Sequence, residues 1–181
     1  MGSVQEQRDE NGVVAVRPGD APAVLRSFFA AAIDAVYPYV YRRCGHDRAT
    51  AEDLCQDTFV TAVRTLQAGK VEVLTVGWMM SVARSRFIDH CRRESRRERA
   101  LHVIDSERDG AVEDDVVAST SVTELLAELP ATQRLNVALH HLDGLSIPEV
   151  AAMTGSTTRA VESSLARARR ALRDLADGGE R

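Results

Sequence analysis

Apolar residues recur at spacings of three and four along most of the chain, a pattern typical of amphipathic helices. The first such stripe begins near Ala23 and ends near Gly45, and Pro38 is expected to kink or divide the helix. Its inward-facing members are Leu25, Phe28, Phe29, Ala32, Ile33, Val36 and Val40. The pattern therefore predicts a helix that buries one face.

Two further helices are predicted before residue 100. One covers about 49–66, the other covers about 78–99, and a glycine-bounded loop at 69–77 separates them. Their inward faces carry Leu54, Cys55, Phe59, Ala62, Val63 and Leu66 in the first, and Trp78, Val82, Phe87, Ile88 and Cys91 in the second. Only a few β-branched residues between Val71 and Val76 suggest a strand, so the predicted class is all-α.

The segment 146–173 predicts two short helices joined by a tight turn. Ser146 and Glu149 match a capping box, and Gly155 suits the left-handed end of the first helix. Thr157 or Thr158 can cap the second helix. One stripe of this second helix is predicted to be buried, and it consists of Val161, Leu165, Ala168, Leu172 and Leu175.

The opposite face of that second helix is small, polar and basic. Its members are Arg159, Glu162, Ser163, Ala166 and Arg170. A helix that is anchored on one side and carries such residues on the other can enter the major groove of DNA. An ordinary helical hairpin with a solvated basic face is the alternative interpretation.

Polar segments divide the chain into two groups of helices. Residues 1–22 lack lasting periodicity and predict a disordered tail, whereas the acidic stretch 101–120 predicts a flexible tether. Helices are predicted to resume at about 121, so the domains are 23–100 and 121–176, followed by a short tail at 177–181. The predicted fold is two small helical bundles joined by a flexible acidic linker, the second containing a helix-turn-helix.

Charge is segregated along the chain, although the formal net charge is only −4. Residues 84–99 contain seven arginines against three acidic residues, whereas in residues 101–128 acidic side chains outnumber arginine by eight to one. Such separation suits a protein that binds DNA with one surface and a basic protein with another. The acidic excess therefore does not exclude a nucleic-acid partner.

Cys44, Cys55 and Cys91 show neither a CxxC motif nor a Cys/His ligand spacing. This pattern predicts reduced thiols in a cytoplasmic protein rather than a disulfide framework or a zinc site. No apolar run approaches the length needed to span a membrane, and no signal peptide is recognisable. The chain is expected to be soluble and intracellular, without metal, cofactor or membrane contact of its own.

An enzymatic function is not favoured by the sequence. His140 and His141 are adjacent on a predicted helix, so their side chains diverge by roughly 100° and are unsuited to share a metal ion. The sequence has no HExxH arrangement, glycine-rich phosphate loop or nucleophile elbow. No catalytic residue is therefore predicted.

Three motifs resemble those of the extracytoplasmic-function sigma factors, the compact bacterial sigma factors. They are AEDLCQDTF at 51–59, WMMSVARSRFIDHCRR at 78–93, and LPATQR at 129–134, which is followed by DGLSIPEVAAMTG at 143–155 and the ending ARARRALR. The resemblance covers about 23–100 and 121–175. It implies a non-enzymatic subunit that binds core RNA polymerase, recognises the −10 and −35 promoter elements and melts DNA.

The resemblance implies a polymerase-binding face on the second helix. Its residues are Glu52, Asp53, Gln56, Asp57 and Phe59. An exposed carboxylate cluster also favours a basic partner and accelerates encounter with it. Without the other motifs, a solvated helix face would be the simpler interpretation.

The third helix resembles the part of the family that recognises the −10 element. The residues implied to contact DNA are Trp78, Arg84, Ser85, Arg86, Arg92, Arg93 and Arg96, with Arg97 beside them. Arginines along one helix neutralise phosphates and give salt-dependent affinity without base preference. The preceding loop GKVEVLTVG, implied to hold flipped bases, has no aromatic residue for stacking, and Ser85 replaces a frequent Asn.

The resemblance assigns the −35 element to the C-terminal helix. The implied contacts are Thr157, Thr158, Arg159, Glu162, Ser163, Ala166, Arg167 and Arg170. Two positions that are often basic in the family are Glu162 and Ser164 here, so phosphate contacts are expected to be lost. Such a loss weakens binding to every DNA sequence alike. Glu162 can instead accept a hydrogen bond from a cytosine amino group, or serve only as helix-surface charge.

The main alternative is a helix-turn-helix regulator that binds DNA as a dimer and does not act as a sigma subunit. Such a regulator requires neither the acidic Gln-Asp-Thr-Phe helix nor the arginine-rich helix 78–99. A pure protein-binding module would not need two arginine-rich helices. The family resemblance further implies regulation by an anti-sigma factor.

Overall fold

The computed structural model describes residues 15–105 and 124–178, with side chains described for 15–101 and 124–175. The elements are β1 (Ala15–Val16), α1 (Pro22–Arg43), α2 (Arg48–Gln67), β2 (Leu74–Thr75), α3 (Val76–Asp105), α4 (Ala131–Val137), a π-helical segment (Ala138–Leu142), α5 (Ile147–Thr154) and α6 (Thr158–Gly178). The predicted all-α class is confirmed, since each strand among the described residues is only two residues long.

The described residues form two compact units. The first comprises 15–42 and 47–87, and the second comprises 43–46, 88–105 and 124–178. Helix α3 thus contributes its first half to one unit and its second half to the other. The helix continues to Asp105, beyond its predicted end near residue 99. Residues 101–105 therefore belong to α3 and not to the predicted tether. The rest of that tether lies outside the described residues.

Helix α1 buries most of its predicted stripe in the core of the first unit. Phe28, Ala32, Val36 and Val40 are almost fully buried, whereas Ile33 is 47% exposed. The prediction for Ile33 is wrong because this residue lies about 100° from Ala32, at the edge of the buried arc. The helix continues through Pro38, which therefore does not divide it.

By length and composition alone α1 could cross a membrane, because an 18-residue stretch of it has a mean hydropathy of 1.2. The expectation that no segment of the chain reaches that length is therefore wrong. Within the first unit, however, one face of α1 packs into the core. The rings of Phe29 and Phe59 lie 5.7 Å apart, which joins α1 to α2.

Helix α2 begins at an aspartate cap that the periodicity did not single out. Asp47 accepts hydrogen bonds from the amides of Ala49 at 3.0 Å and Thr50 at 3.4 Å, which satisfies two otherwise free donors of the first turn. The predicted inward positions are buried except for Phe59, which is half-buried, and Val63, which is 36% exposed. Thr58 is instead buried, and its hydroxyl donates to the Leu54 carbonyl at 2.8 Å.

Of the predicted inward residues of α3, Phe87, Ile88 and Cys91 are buried, but two residues of its first half that were not predicted also face the core. Met79, Ala83 and Phe87, spaced four apart, are fully buried, while Trp78 and Val82 are only half-buried. The apolar spacing alone allowed two neighbouring stripes on this helix. Packing in the first unit selects the one that begins at Met79.

A short antiparallel pairing joins β1 to β2, with Ala15 opposite Thr75 and Val16 opposite Leu74. Ala15, Val16 and Leu74 are buried. The prediction of a disordered tail is therefore wrong for residues 15–22, and residues 1–14 lie outside the described part. Strand β2 falls in the β-branched stretch that the sequence suggested.

Helix α6 packs against α4 and α5 to form the core of the second unit. Leu126, Leu139, Val150 and Val161 are its largest fully buried residues. Residues 124–128 form turns, so the first helix after the tether begins at Ala131 rather than near 121. Residues 121–123 lie outside the described part.

Candidate nucleic-acid and polymerase interfaces

The acidic face of α2 is exposed as predicted at Glu52, Asp53, Gln56 and Asp57. Glu52 pairs with Arg48 at 2.7 Å, but both side chains are more than half exposed, so the pair adds little stability. Phe59 differs from its neighbours because its half-buried ring packs against Phe29. The surface available to a partner is therefore mainly carboxylate.

In the first half of α3, two of the predicted DNA-contacting arginines brace the helix. The Arg84 guanidinium donates to the Tyr39 hydroxyl at 3.3 Å, and that of Arg86 donates to the Thr61 hydroxyl at 2.7 Å. Both arginines are half-buried, whereas Ser85 between them is exposed. These bonds tie α3 to α1 and α2, a structural role that the sequence did not reveal.

The loop before α3 is fixed at its C-terminal end. Leu74 is buried and paired with Val16, and the Thr75 hydroxyl accepts a hydrogen bond from the Trp78 amide at 3.1 Å. This bond satisfies one free donor at the start of α3. Lys70 and Glu72 remain exposed in the same loop. The predicted base-holding loop is therefore anchored at both ends, because the Gly69 and Lys70 amides also donate to carbonyls at the end of α2.

The second half of α3 exposes Arg92, Arg93, Arg96 and Arg97, as predicted. Arg92 donates to the Met153 carbonyl at 2.9 Å and lies 3.5 Å from Asp89. In the described structure, one of these four predicted phosphate-binding side chains is thus already engaged by α5 of the same unit.

The opposite edge of that half-helix contacts α4 through residues that sequence reasoning did not select. Glu94 pairs with Arg134, the Ser95 and Thr132 hydroxyls lie 2.8 Å apart, and the Glu98 carboxylate accepts from the Ala131 amide at 2.9 Å. Glu98 thereby caps α4, whose own preceding residue Pro130 offers no side-chain cap. Only long-range packing brings these residues together.

The helix-turn-helix has the local geometry that the sequence predicts. Glu149 accepts from the Ser146 amide at 2.8 Å and from its hydroxyl at 2.6 Å, completing the capping box. These two hydrogen bonds, the hydroxyl's first, lower the pKa of Glu149 below its ordinary value. Gly155 has φ 67°, and the Thr157 hydroxyl accepts from the Ala160 amide at 3.2 Å. The turn and both helix starts are therefore specified locally.

All eight residues predicted to contact the −35 element are exposed. They are Thr157, Thr158, Arg159, Glu162, Ser163, Ala166, Arg167 and Arg170. On the opposite side Val161, Leu165 and Ala168 are buried, whereas Leu172 is half-buried and Leu175 is 38% exposed near the helix end. This two-faced helix can present a continuous polar and basic surface to a nucleic-acid groove.

Ser164 was interpreted as a lost basic contact, and its position contradicts that interpretation. The residue is 1% exposed and lies on the side of α6 that faces the core. A serine at this position is therefore part of the packing and leaves the DNA-facing surface unchanged. Of the two substitutions considered, only Glu162 alters the surface that DNA would meet.

Two polar features of the second unit carry no sequence signal. Arg43, at the end of α1, forms an ion pair with Asp143, and both side chains are buried. The π-helical segment brings the His140 and His141 rings within 4.6 Å of each other, closer than the predicted divergence implies. The His140 Nδ1 atom also lies 2.7 Å from the Leu145 carbonyl, so this ring is engaged by the turn before α5.

The three cysteines are buried, and none of them forms a disulfide. Burial raises the pKa of the Cys91 thiol to about 12 and also raises the pKa of Cys55. Thiols held in the protonated form are poor nucleophiles and poor metal ligands. Among the described residues, no group of three or more His, Cys, Asp or Glu side chains is placed to hold a metal ion.

An open groove of about 960 Å³ lies within the second unit. Its walls come from α3, from 127–136, and from the turn and the second helix of the helix-turn-helix. The arginines along it are Arg92, Arg96, Arg99, Arg134 and Arg167. Predicted −10 and −35 contacts therefore line one groove.

Two family descriptions match the chain: "Sigma-70 region 2" over residues 28–97 and "Sigma-70, region 4" over residues 119–172. The probable RNA polymerase sigma-C factor of Mycobacterium bovis is 34% identical over 137 residues, covering 72% of this chain and 71% of that protein. The ECF RNA polymerase sigma factor BldN of Streptomyces coelicolor is 35% identical over 152 residues, covering 78% of this chain and 56% of that protein.

A solved structure is also similar to this chain. It is the sigma factor RpoE of Bartonella quintana in complex with the anti-sigma factor NepR. The two chains are 22% identical with a TM-score of 0.47, and the match covers 84% of this chain and 96% of that one.

Proposed function

This chain belongs to the extracytoplasmic-function sigma factors of the sigma-70 family, and from that premise we propose which of its residues bind polymerase and promoter DNA. As a member it directs promoter-specific transcription by RNA polymerase. We assign core binding and the −10 element to residues 23–100, and the −35 element to residues 121–176. The acidic stretch 101–120 joins them.

The exposed acidic face of α2 is the proposed contact with core polymerase. Asp53 and Asp57 have no ion-pair partner among the residues described, so their charges are available to a basic surface. Such charges accelerate encounter at low ionic strength and suppress binding to acidic partners. Phe59 adds the exposed part of its ring at the edge of this face.

The proposed −10 surface combines free and braced residues of α3. Ser85, Arg93 and Arg96 are free to approach DNA, whereas Arg84 and Arg86 position the helix through Tyr39 and Thr61. Trp78 stands at the N-terminal end, next to the loop proposed to hold flipped bases. Because that loop has no aromatic side chain, hydrogen bonding and shape must offset the unstacking of a base.

The −35 assignment rests on one observation, the complete exposure of the predicted face of α6 opposite a buried stripe. A buried stripe fixes the helix, so its exposed side chains can be placed reproducibly in a major groove. Arg159, Arg167 and Arg170 are suited to phosphates or guanine, and Glu162 to cytosine. A helix-turn-helix regulator that does not act as a sigma subunit is not favoured, because region 2 is also matched.

The remaining assignments follow from the same premise. We propose that the protein acts in the cytoplasm, where its polymerase is found, and that it has no catalytic residue of its own. The sigma factor RpoE of Bartonella quintana is bound to the anti-sigma factor NepR, and an anti-sigma factor is the regulatory partner proposed for this chain. The exposed basic and acidic faces are the surfaces that such a partner would cover.

In vitro transcription tests the proposed function directly. Purified chain is added to bacterial core RNA polymerase with genomic DNA as template, and transcripts are mapped by sequencing their 5′ ends. We expect new starts that share sequences near −10 and −35 and are absent without the chain. Core polymerase that gains no specific starts, with the chain shown to be free of other proteins, would refute the proposal.

A further inference from the structure

Three buried polar atoms belong to residues that line the 960 Å³ groove of the second unit, and none of them has a hydrogen-bond partner among the residues described. They are the Arg134 Nε atom, the Ser164 hydroxyl oxygen and the Gln133 side-chain carbonyl oxygen. Arg134 and Ser164 are only 8% and 1% exposed. A buried polar group without a partner destabilises a fold, so each such group needs an explanation. Their clustering along one groove points to a ligand that supplies the partners.

The three atoms define the hydrogen bonds that the ligand must make. The Arg134 Nε atom and the Ser164 hydroxyl can donate, so the ligand needs acceptor oxygens, whereas the Gln133 carbonyl oxygen needs a donor. Glu94 engages the far end of the Arg134 guanidinium and leaves the Nε atom available. Burial raises the pKa of the Cys91 thiol, which also lines the groove, to about 12, so this thiol offers Arg134 no negative charge.

The walls of the groove favour an anion. Among the described residues that line it are five arginines and three glutamates, namely Arg92, Arg96, Arg99, Arg134, Arg167, Glu94, Glu98 and Glu128. Two of the glutamates are already engaged, Glu94 by an arginine and Glu98 by a backbone amide of α4. The positive charge of the walls is therefore not fully compensated.

The arginines differ in how free they are to bind a ligand. Arg92 and Arg99 donate to backbone carbonyls at 2.9 and 3.0 Å. Arg96 and Arg167 are exposed and have no ion-pair partner in the described part of the chain. The planar fork of a guanidinium matches two oxygens of a phosphate group. Arg96 and Arg167 are therefore suited to meet phosphate groups that enter the groove.

The size of the groove indicates a small molecule larger than a phosphate ion. Binding sites for small molecules and cofactors have volumes of about 300–1,000 Å³, and this groove measures about 960 Å³. A nucleotide combines phosphate oxygens with the hydroxyl and amino donors of its sugar and base. A DNA duplex also carries phosphates, but one that lies along the exposed face of α6 cannot reach Ser164, which is 1% exposed.

We propose that the groove is a nucleotide-binding site. Arg96 and Arg167 bind the phosphates from its exposed side. The Arg134 Nε atom and the Ser164 hydroxyl donate to phosphate oxygens from its buried side, and Gln133 accepts from the base or the sugar. This binding does not depend on the proposed function.

Occupancy of the groove also affects promoter binding, and this part of the inference rests on the proposed function. Arg96 and Arg167 are among the residues proposed to contact DNA, so nucleotide and promoter compete for the same side chains. At a nucleotide concentration about ten times its Kd, the apparent affinity for promoter DNA should fall about tenfold.

Calorimetry on the purified full chain tests the site. The probes are ATP, GTP, pyrophosphate and adenosine, titrated at physiological ionic strength so that weak attraction to the surface is screened. We expect ATP or GTP to bind saturably, with one molecule per chain. Pyrophosphate, which lacks the base and the sugar, should bind at least about tenfold more weakly, and adenosine, which lacks phosphate, should not bind.

Two pairs of neighbouring residues distinguish the groove from the rest of the surface. Ser164→Ala removes the buried hydroxyl and Arg96→Ala removes a charge, and each should weaken nucleotide binding at least about tenfold. The matched controls Ser163→Ala and Arg97→Ala change exposed residues that do not line the groove, so they should bind like the native chain. Loss of an unpartnered hydroxyl does not destabilise the fold, so Ser164→Ala should melt no lower than the native chain.

Three results would overturn the site. One is the absence of saturable binding of ATP and GTP at millimolar concentration. Another is equal affinity in the native chain, Ser164→Ala and Arg96→Ala, which would place the nucleotide elsewhere. The third is pyrophosphate binding as tight as that of the nucleotides, which would leave only a general anion site. If Ser164→Ala does not fold, Arg96→Ala decides, because it changes an exposed residue.

Filter binding of the polymerase–promoter complex tests the competition. ATP or GTP at about ten times its measured Kd should lower promoter affinity about tenfold with the native chain and about twofold with Ser164→Ala. Equal responses of the two complexes would overturn the competition. A native chain that forms no promoter complex at all would count instead against the proposed function, so the two failures are distinguishable.

Discussion

Asp53 and Asp57 stand one turn apart on the exposed face of α2, and each can be reversed in charge without disturbing the core. We expect the double variant Asp53→Arg/Asp57→Arg to lose binding to core polymerase, because it replaces attraction to a basic surface by repulsion. Co-purification with core polymerase measures the loss, and circular dichroism confirms that the fold is retained.

The matched control for this variant is Asp34→Arg/Asp174→Arg. It makes the same change in net charge at two exposed aspartates, one on α1 and one on α6. The control should still bind. Retention of polymerase by the α2 variant, or equal loss by both variants, would contradict the assignment of this face.

Glu162 is the single acidic residue on the face of α6 assigned to the −35 element. If it accepts a hydrogen bond from cytosine, Glu162→Ala should relax the preference at one promoter position by about 1 kcal/mol, or roughly fivefold. Transcription from a promoter library randomised across the −35 element measures this preference.

The control for Glu162 is Arg169→Ala, which changes an exposed residue of α6 outside the proposed face. It should leave the preference at every position unchanged. A Glu162→Ala profile that is identical to the native one would show that this carboxylate is only surface charge. Ser164 offers no comparable test because it is buried.

At the scale of the element, α5 depends on a cap that titrates. The folded-state pKa of Glu149 is lowered, so its stabilising contribution is present above its ordinary pKa of 4.5 and is lost as pH falls through the folded value. We expect protection of the first amides of α5 against hydrogen exchange to decline below about pH 4.5. Glu149→Gln, which can still accept a hydrogen bond, should remove that dependence on pH.

Hydrogen-exchange mass spectrometry measures this protection, with labelling times matched to the intrinsic exchange rate at each pH. Helix α2 serves as an internal reference segment. Helix α2 also begins at a carboxylate cap, because the Asp47 side chain accepts hydrogen bonds from the Ala49 and Thr50 amides, so it provides a second cap for comparison. If the first amides of α5 lose as much protection at low pH in Glu149→Gln as in the native chain, the capping box is not the cause of the loss.

Local signals explain which elements the sequence predicts well. Ser146, Glu149, Gly155 and Thr157 lie within one short segment and specify their own geometry, so the capping box and the glycine turn are predicted correctly, and Thr157 is the one of two candidate residues that caps α6. Periodicity also places the main helices, but it leaves the edges of each stripe open. Ile33 therefore lies outside the buried arc that the spacing assigned to it.

Features that depend on distant residues were not predictable in the same way. Ser164 is buried by packing within the second unit, and Glu94 meets Arg134 across forty positions of sequence. Neither the burial nor the pairing leaves a local pattern. The bracing roles of Arg84 and Arg86 are hidden for the same reason, since both look like ordinary DNA-binding arginines in the sequence.

At the scale of the whole molecule, two surfaces that contact promoter DNA at the same time should each contribute to the salt dependence of its affinity, and the two contributions should add. Each arginine that neutralises a phosphate contributes about 0.9 to the slope of log affinity against log salt. We expect Arg93→Ala and Arg170→Ala each to reduce that slope by about one in the polymerase–promoter complex, and the double variant by about two. Filter binding over a range of salt concentrations measures the slopes.

Arg26→Ala is the control, because Arg26 is exposed on α1 and belongs to neither proposed DNA surface. Its slope should equal that of the native complex. If the double variant reduces the slope no further than either single variant, the two surfaces do not contact DNA at the same time.

The pairing of β1 with β2 links the segment that precedes α1 to the loop before α3. Strand β1 pairs with β2, and Val16 lies opposite Leu74, a buried residue of the loop proposed to hold flipped bases. Translation from a downstream start codon, or proteolysis just before α1, would remove this strand while leaving every DNA-contacting side chain in place. We therefore expect forms of the protein that differ only in the presence of this strand to initiate from different sets of promoters.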